Sequence, residues 1–221
     1  NRVAAAGGSV AVDDETAGLL DYAATCFEQS DGLFDISSGL LRVAWNFREP
    51  RLPDAGLLAE LLARVGWQRL CWRRPRLDFA PGMALDFGGV VKEYAADRAA
   101  TLCREAGVRH GLVNLGGDVR VVGAQPDGAP WRVGIQHPRE AGAMIDAIEL
   151  AAGGVATSGD YARCFTLNGV RYGHILNPKT GWPVRRLASV SVVADFCVVA
   201  GSAATIAMLK EDEGPAWLAA L

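Results

Sequence analysis

The stretch Leu85 to Arg98, LDFGGVVKEYAADR, constrains this chain more than any other. An apolar run from Met83 to Phe87 carries one acid, Asp86, and stops at Gly88-Gly89. Beyond it Val91, Tyr94, Ala95, Arg98, Ala99, Leu102 and Cys103 recur at helical spacing, and Gly107 offers a left-handed stop. The pattern predicts a strand, a glycine turn and a helix over about 89–106. Such a turn aims free backbone N–H groups and the positive end of a helix dipole at whatever sits above it, and phosphate suits that position. The turn has neither the GxGxxG dinucleotide fingerprint nor the GxxxxGK[ST] P-loop, so neither standard nucleotide fold is indicated. The plainer alternative is close packing of helix on strand. Asp86 before the turn and Lys92 after it tilt the balance towards chemistry, as a carboxylate for donors or a metal and as a cation.

With 221 residues, half of them hydrophobic, the chain can bury a substantial core, and one domain is expected. A net charge of -3 without a basic stripe argues against nucleic acid as a partner. No apolar stretch reaches membrane-spanning length, and no signal peptide is visible, although the chain opens abruptly at Asn1. Cys26, Cys71, Cys103, Cys164 and Cys197 are scattered and show no CxxC spacing, so they read as small buried apolar residues in a reducing compartment.

Elsewhere, Asp13-Asp14-Glu15 starts a helix to about Gln29, and Pro53-Asp54 starts another that stops at Gly66. Between them GLFDISSGLL lacks a period and reads as a surface or binding loop. Hairpins are expected across Arg73-Arg74-Pro75, whose basic residues read as a solvated turn, and across Asn168-Gly169; Trp131–Gln136 is expected to pair with Met144–Leu150. His137 reads as an ordinary surface histidine. Thr157 and Ser158, with Gly159, are phosphate or ribose candidates. His174 enters the rigid loop Asn177–Pro183 and is balanced between a core residue and a catalytic one. Phe196 to Leu209 is a helix poor in large side chains, open to close approach by a helix or a ligand. The order of elements fits an α+β fold of mixed or antiparallel sheets packed with helices.

Taken in series, FDISSGLL…W, LDFGGVVKEYAADRAA, GLVNLGGDVRVVG, WRVGIQHPR, ATSGDY, RYGHILNPKTGWPV and AGSAATIAML resemble the FAD:protein FMN transferase family, also called ApbE, from Gly32 to about Leu209. The resemblance implies one bacterial α+β domain over 1–221, related to the T-fold, that starts inside the family pattern and stops before its tail. It implies FAD as substrate with Mg²⁺, and transfer of FMN onto a threonine hydroxyl of a redox flavoprotein subunit with release of AMP. By matching position it places Gly32, Leu33, Phe34, Asp86, Lys92 and Ile175 against FAD; Thr157, Ser158 and His174 are further candidate cofactor contacts. His174 is the candidate base and Lys92 the cation that offsets developing charge. Gly89, Gly201 and Thr205 fall at the metal positions. The family's late motif reads ADAxxT, whereas here Gly201 stands where the aspartate is expected. Glu93 stands where glycine is usual, an acid placed either to compensate or to face solvent. Gly201→Asp is accordingly expected to restore a charged oxygen one turn before Thr205 and lower the Mg²⁺ requirement.

Two further readings stay open: an FAD-binding protein without transfer activity, and an FAD pyrophosphatase. The resemblance suggests the periplasmic face of the inner membrane, with membrane contact only through an N-terminal lipid anchor; cysteine usage leans to the cytoplasm.

Overall fold

The computed structural model describes residues 2–221. In chain order the protein builds α1 (Arg2–Ala6), β1 (Gly8–Ala11), α2 (Asp14–Gln29), a 3₁₀ helix (Ile36–Val43), α3 (Ala55–Leu62), β2 (Leu70–Arg73) and β3 (Arg76–Phe79). It continues through α4 (Val91–Glu105), β4 (Gly111–Leu115), β5 (Asp118–Gly123), β6 (Trp131–Gln136), β7 (Met144–Leu150) and β8 (Gly154–Gly159). β9 (Cys164–Leu167), β10 (Val170–Gly173), β11 (Ser189–Ala194), α5 (Cys197–Lys210) and α6 (Gly214–Ala219) complete it. Every strand pairing among the described residues is antiparallel, so the chain is α+β as its pattern predicts.

The elements fall into two compact units that interleave along the sequence. The first comprises 1–88, 162–185 and 209–211. Its sheet runs β1-β3-β2, and β9 pairs with β10 across Asn168 and Gly169, both at positive φ as a tight hairpin turn requires. α2 and α3 start where acids can cap them: Asp13 accepts from the Thr16 N–H and Asp54 from the Leu57 N–H. Leu40, Leu41, Leu58 and Leu61 form one core cluster. Beside it Trp45, Phe47, Phe165, Tyr172 and Trp182 pack ring on ring, with the buried Trp45 indole donating to the Gly181 carbonyl at 2.8 Å.

The second unit comprises 89–161, 186–208 and 212–221. Its sheet runs β11-β8-β5-β4, and the β6–β7 hairpin lays Trp131, Val133, Ile135 and Ile148 on Val119, Val121 and Val155. Ala96 of α4 and Cys197 and Ala200 of α5 cluster with Ala156 of β8, where small side chains let helices and sheet approach closely.

Four sequence expectations need correction. Met83–Phe87 is not a strand: it runs without regular structure into the turn at Gly88-Gly89, where Gly89 takes φ 87°. GLFDISSGLL is not a loop: Asp35 caps a 3₁₀ helix, and Ile36, Ser37, Leu40 and Leu41 are buried. Arg74 lies in an exposed turn as expected, where it pairs with Asp14 and Asp21 at 3.0 and 3.1 Å. Among the described residues the cysteines form no disulfide, but Cys71 is exposed, and Cys26 and Cys197 are the buried ones. The fourth bears on function. The buried face of α4 is Glu93, Ala96, Asp97 and Ala100, while Val91 and Leu102 are 42% and 55% exposed. The helix therefore presents two acids to the interior.

Candidate functional site

The candidate residues divide between the units, so each group is taken on its own. In the first unit Asp86 is fixed by its surroundings. Its backbone N–H donates to the Ile36 carbonyl at 2.7 Å, its carboxylate accepts from the Gly88 N–H at 2.9 Å, and Arg42 pairs with it at 2.5 Å. A Cβ on Gly39 would meet the Asp86 Cβ at 2.7 Å, which is why a glycine lets the 3₁₀ helix pass so close. Gly32 holds φ 79°, Leu33 is half-buried, and the Phe34 ring is buried, leaving that ring little surface for a ligand.

His174 follows β10. Burial pushes its imidazole pKa below the ordinary value, and the Arg163 and Arg42 guanidiniums push it further in the same direction. A hydrogen bond with the Arg163 backbone and the charge of Asp86 oppose the shift only in part, and Nδ1 is buried without a hydrogen-bond partner. The neutral imidazole is thus the form the fold favours, and a neutral imidazole accepts protons. Ile175, next in the chain, accepts from the Val184 N–H at 3.0 Å and is half-buried.

In the second unit the chemistry gathers around α4. Lys92, near its N-terminus, pairs with Asp118, which is buried at the start of β5 and also accepts from the Thr157 N–H at 3.3 Å. Lys92 Nζ lies 3.7 Å from Glu93 Oε1. Glu93 is 4% exposed, and its Oε2 is buried with no hydrogen-bond partner. Burial raises its pKa to about 7, and the neighbouring Asp118 carboxylate adds to the rise while Lys92 opposes it. Thr157 and Ser158 are strand residues of β8 whose hydroxyls are engaged: Thr157 Oγ1 with Ser191 Oγ at 2.7 Å, Ser158 Oγ with Thr205 Oγ1 at 2.8 Å. A ligand must share or replace those bonds.

Gly201 is buried on α5, and its surroundings bear on Gly201→Asp. A Cβ there would meet Glu93 Cγ at 2.5 Å, Cδ at 3.1 Å and Oε1 at 3.2 Å. The space a side chain at 201 needs is filled by Glu93. Sequence reasoning raised Glu93 as an acid near this position, but not that it faces inward. The signal for that was its i, i+3, i+4, i+7 relation to Ala96, Asp97 and Ala100, a stripe hidden by the apolar residues on the opposite face.

Among the described residues no group of three or more His, Cys, Asp or Glu side chains could hold a metal. The residues present nevertheless fit a hard divalent cation: an orphaned buried carboxylate oxygen on Glu93, a second acid in Asp118, and the Thr205 hydroxyl one turn beyond Gly201. Magnesium commonly uses only one or two carboxylates and completes its shell with waters and substrate phosphates.

Comparison with known proteins supplies a context for this chemistry. The ApbE family matches residues 1–221. An FAD:protein FMN transferase of Rhodobacter capsulatus is 35% identical, with 96% of this chain matched to 42% of that protein. One from Vibrio cholerae is 31% identical, with 92% matched to 63%. The chain thus spans about half the length of these curated relatives. The crystal structure of the ApbE protein of Thermotoga maritima superimposes with a TM-score of 0.86 at 36% identity, covering 96% of this chain and 70% of that one.

Proposed function

Since the chain belongs to the ApbE family, we propose that it is a metal-dependent flavin transferase, moving the FMN half of FAD onto a threonine hydroxyl of an acceptor flavoprotein and releasing AMP. The observation that carries this reading is the Lys92, Asp118 and Glu93 group: buried acids and a cation on a unit whose whole length matches the family. The relatives' names speak of FMN transfer from FAD to a protein, and the charges supply the reason these side chains suit it.

In the reaction the threonine oxygen bonds to the FMN phosphorus, the bond from that phosphorus to the AMP oxygen breaks, and the threonine proton passes to a base. His174, held neutral, is the base in this reading. Lys92 offsets negative charge that builds on the phosphoryl oxygens, and Asp118 orients the ammonium that does so. A divalent ion, when bound, adds Lewis-acid polarisation of those oxygens. Glu93 and the Thr205 hydroxyl are the residues that would hold it. Gly32, Leu33, Phe34, Asp86 and Ile175 remain proposed FAD contacts, Phe34 through its backbone.

The test is to incubate the full-length protein with FAD, Mg²⁺ and peptides bearing a candidate threonine. The expected result is a covalent FMN mass increment and stoichiometric AMP. AMP without any increment identifies a pyrophosphatase, and intact FAD released on denaturation, with neither product, identifies a carrier.

A further inference from the structure

α4 turns two acids inward, and the fold treats them differently. Asp97 is fully engaged: Arg120 Nε approaches one oxygen to 2.9 Å, and the Cys197 and Val198 N–H groups at the start of α5 donate to its two oxygens at 2.9 Å each. It neutralises a buried guanidinium and caps a helix, so nothing about it is unexplained. Glu93, one turn earlier on the same face, has no such set. Its Oε2 has no hydrogen-bond partner, a second carboxylate sits beside it, and the Lys92 ammonium, 3.7 Å from its other oxygen, pairs more closely with Asp118. A buried carboxylate in that condition is costly for the protein alone and useful for a protein that binds a cation.

Gly201 gives the carboxylate its place. With no side chain at 201, the Glu93 methylene and carboxyl carbons lie in the space over α5, and Thr205 follows on the same helix face with its hydroxyl directed to Ser158. We infer that Glu93 is a direct ligand of a divalent cation in this chain, supplying from α4 the charged oxygen that position 201 of α5 lacks. Positions 93 and 201 therefore form an exchangeable pair. One of them must be small for the other to reach the ion. The inference rests on the transferase reading for the presence of a cation, and it assigns that cation a ligand which neither the family nor the relatives' names assign.

Mn²⁺ serves as the probe, its binding to the full-length protein read by electron paramagnetic resonance with FAD present. Glu93→Gln keeps the shape and removes the charge, and it is expected to weaken Mn²⁺ binding by at least about tenfold. The exchange variant Glu93→Gly/Gly201→Asp is expected to recover most of that affinity, since it returns a carboxylate to the same space from the other helix. Unchanged Mn²⁺ affinity in Glu93→Gln, or no saturable Mn²⁺ binding by the parent protein, overturns the inference. Should Glu93→Gln fail to fold, the exchange variant decides: parent-like binding supports the pair, and a folded variant with weak binding overturns it. FMN transfer is assayed in parallel. Transfer by the parent with a Glu93-independent metal leaves the function standing and removes this ligand, whereas Glu93-dependent binding without transfer does the reverse.

Discussion

The two ends of the buried face of α4 show what an acid inside a protein is for. Around Asp97 every oxygen has a donor, and the carboxylate joins α4 to β5 and α5. Around Glu93 the fold supplies burial and like charge, with Lys92 3.7 Å from one oxygen and no hydrogen-bond partner for the other. Full satisfaction marks a structural acid. Incomplete satisfaction at equal burial marks a group whose partner arrives from outside.

Mutation breaks the comparison most sharply at Asp97. Asp97→Ala leaves Arg120 buried without its counter-ion and uncaps α5, and it is expected to cost about 3–5 kcal/mol, a fall in Tm of roughly 6–20 °C at this chain length. A Tm within a degree or two of the parent would show that Asp97 is no better served than Glu93. Next in size is Gly201→Asp alone, which drives a Cβ into Glu93 Cγ at 2.5 Å and adds a further buried carboxylate. Overpacking of this kind costs about 1–3 kcal/mol. A variant that melts no lower than the parent, and binds Mn²⁺ more tightly, would restore the simpler view of 201 as an empty ligand position.

Glu93→Gln tests the opposite sign. The Glu93 carboxyl has a folded-state pKa of about 7 against 4.5 for the free group, so the native state holds its proton more tightly. Its contribution is therefore fully present below pH 4.5 and is lost as pH rises through 7. At pH 8 without metal the glutamine variant is expected to be as stable as the parent or more so, by about 1 kcal/mol, and its Tm should decline less between pH 5 and pH 8. Asp118 and Lys92 face the same group and remain in both proteins, so the difference between the two melting curves isolates Glu93. Parallel curves would mean that Glu93 is satisfied after all.

What could be read in advance follows from where the controlling interactions lie. Local chemistry was legible: Asp13 and Asp54 cap their helices, Asn168-Gly169 turns its hairpin, and Trp131–Gln136 pairs with Met144–Leu150. The stretch around Gly88-Gly89 was legible as a turn but not in its flanks, because an apolar run such as Met83–Phe87 satisfies a strand pattern without having a strand to pair with. The face of α4 was misread for a related reason. An alanine-rich helix offers several stripes of similar hydropathy, and counting apolar residues favours Val91 and Leu102, while the packing surface needs small residues that admit Ala156 and Ala200. The Glu93–Gly201 contact joins segments far apart in sequence, and no local pattern carries it. The resemblance named candidate positions, and the fold shows which of them face each other within a unit.

The smallest expected effect extends the comparison to the first unit, where the buried group is a base and the neighbours are cations. His174 is depressed by burial first and by Arg163 and Arg42 after it. Its neutral form is favoured in the native state, so its contribution to stability is present above the unfolded pKa of about 6.5 and is lost as pH falls through that value towards the lower folded pKa. The slope runs opposite to that of Glu93, as it must when an acid is buried among acids and a base among cations. His174→Gln removes the titration while keeping a polar side chain of similar reach. Its Tm is expected to track the parent above pH 7 and to decline less than the parent's below pH 6. Where the two proteins lose stability equally below pH 6, the imidazole titrates alike in the folded and unfolded chain, and burial does not hold His174 neutral.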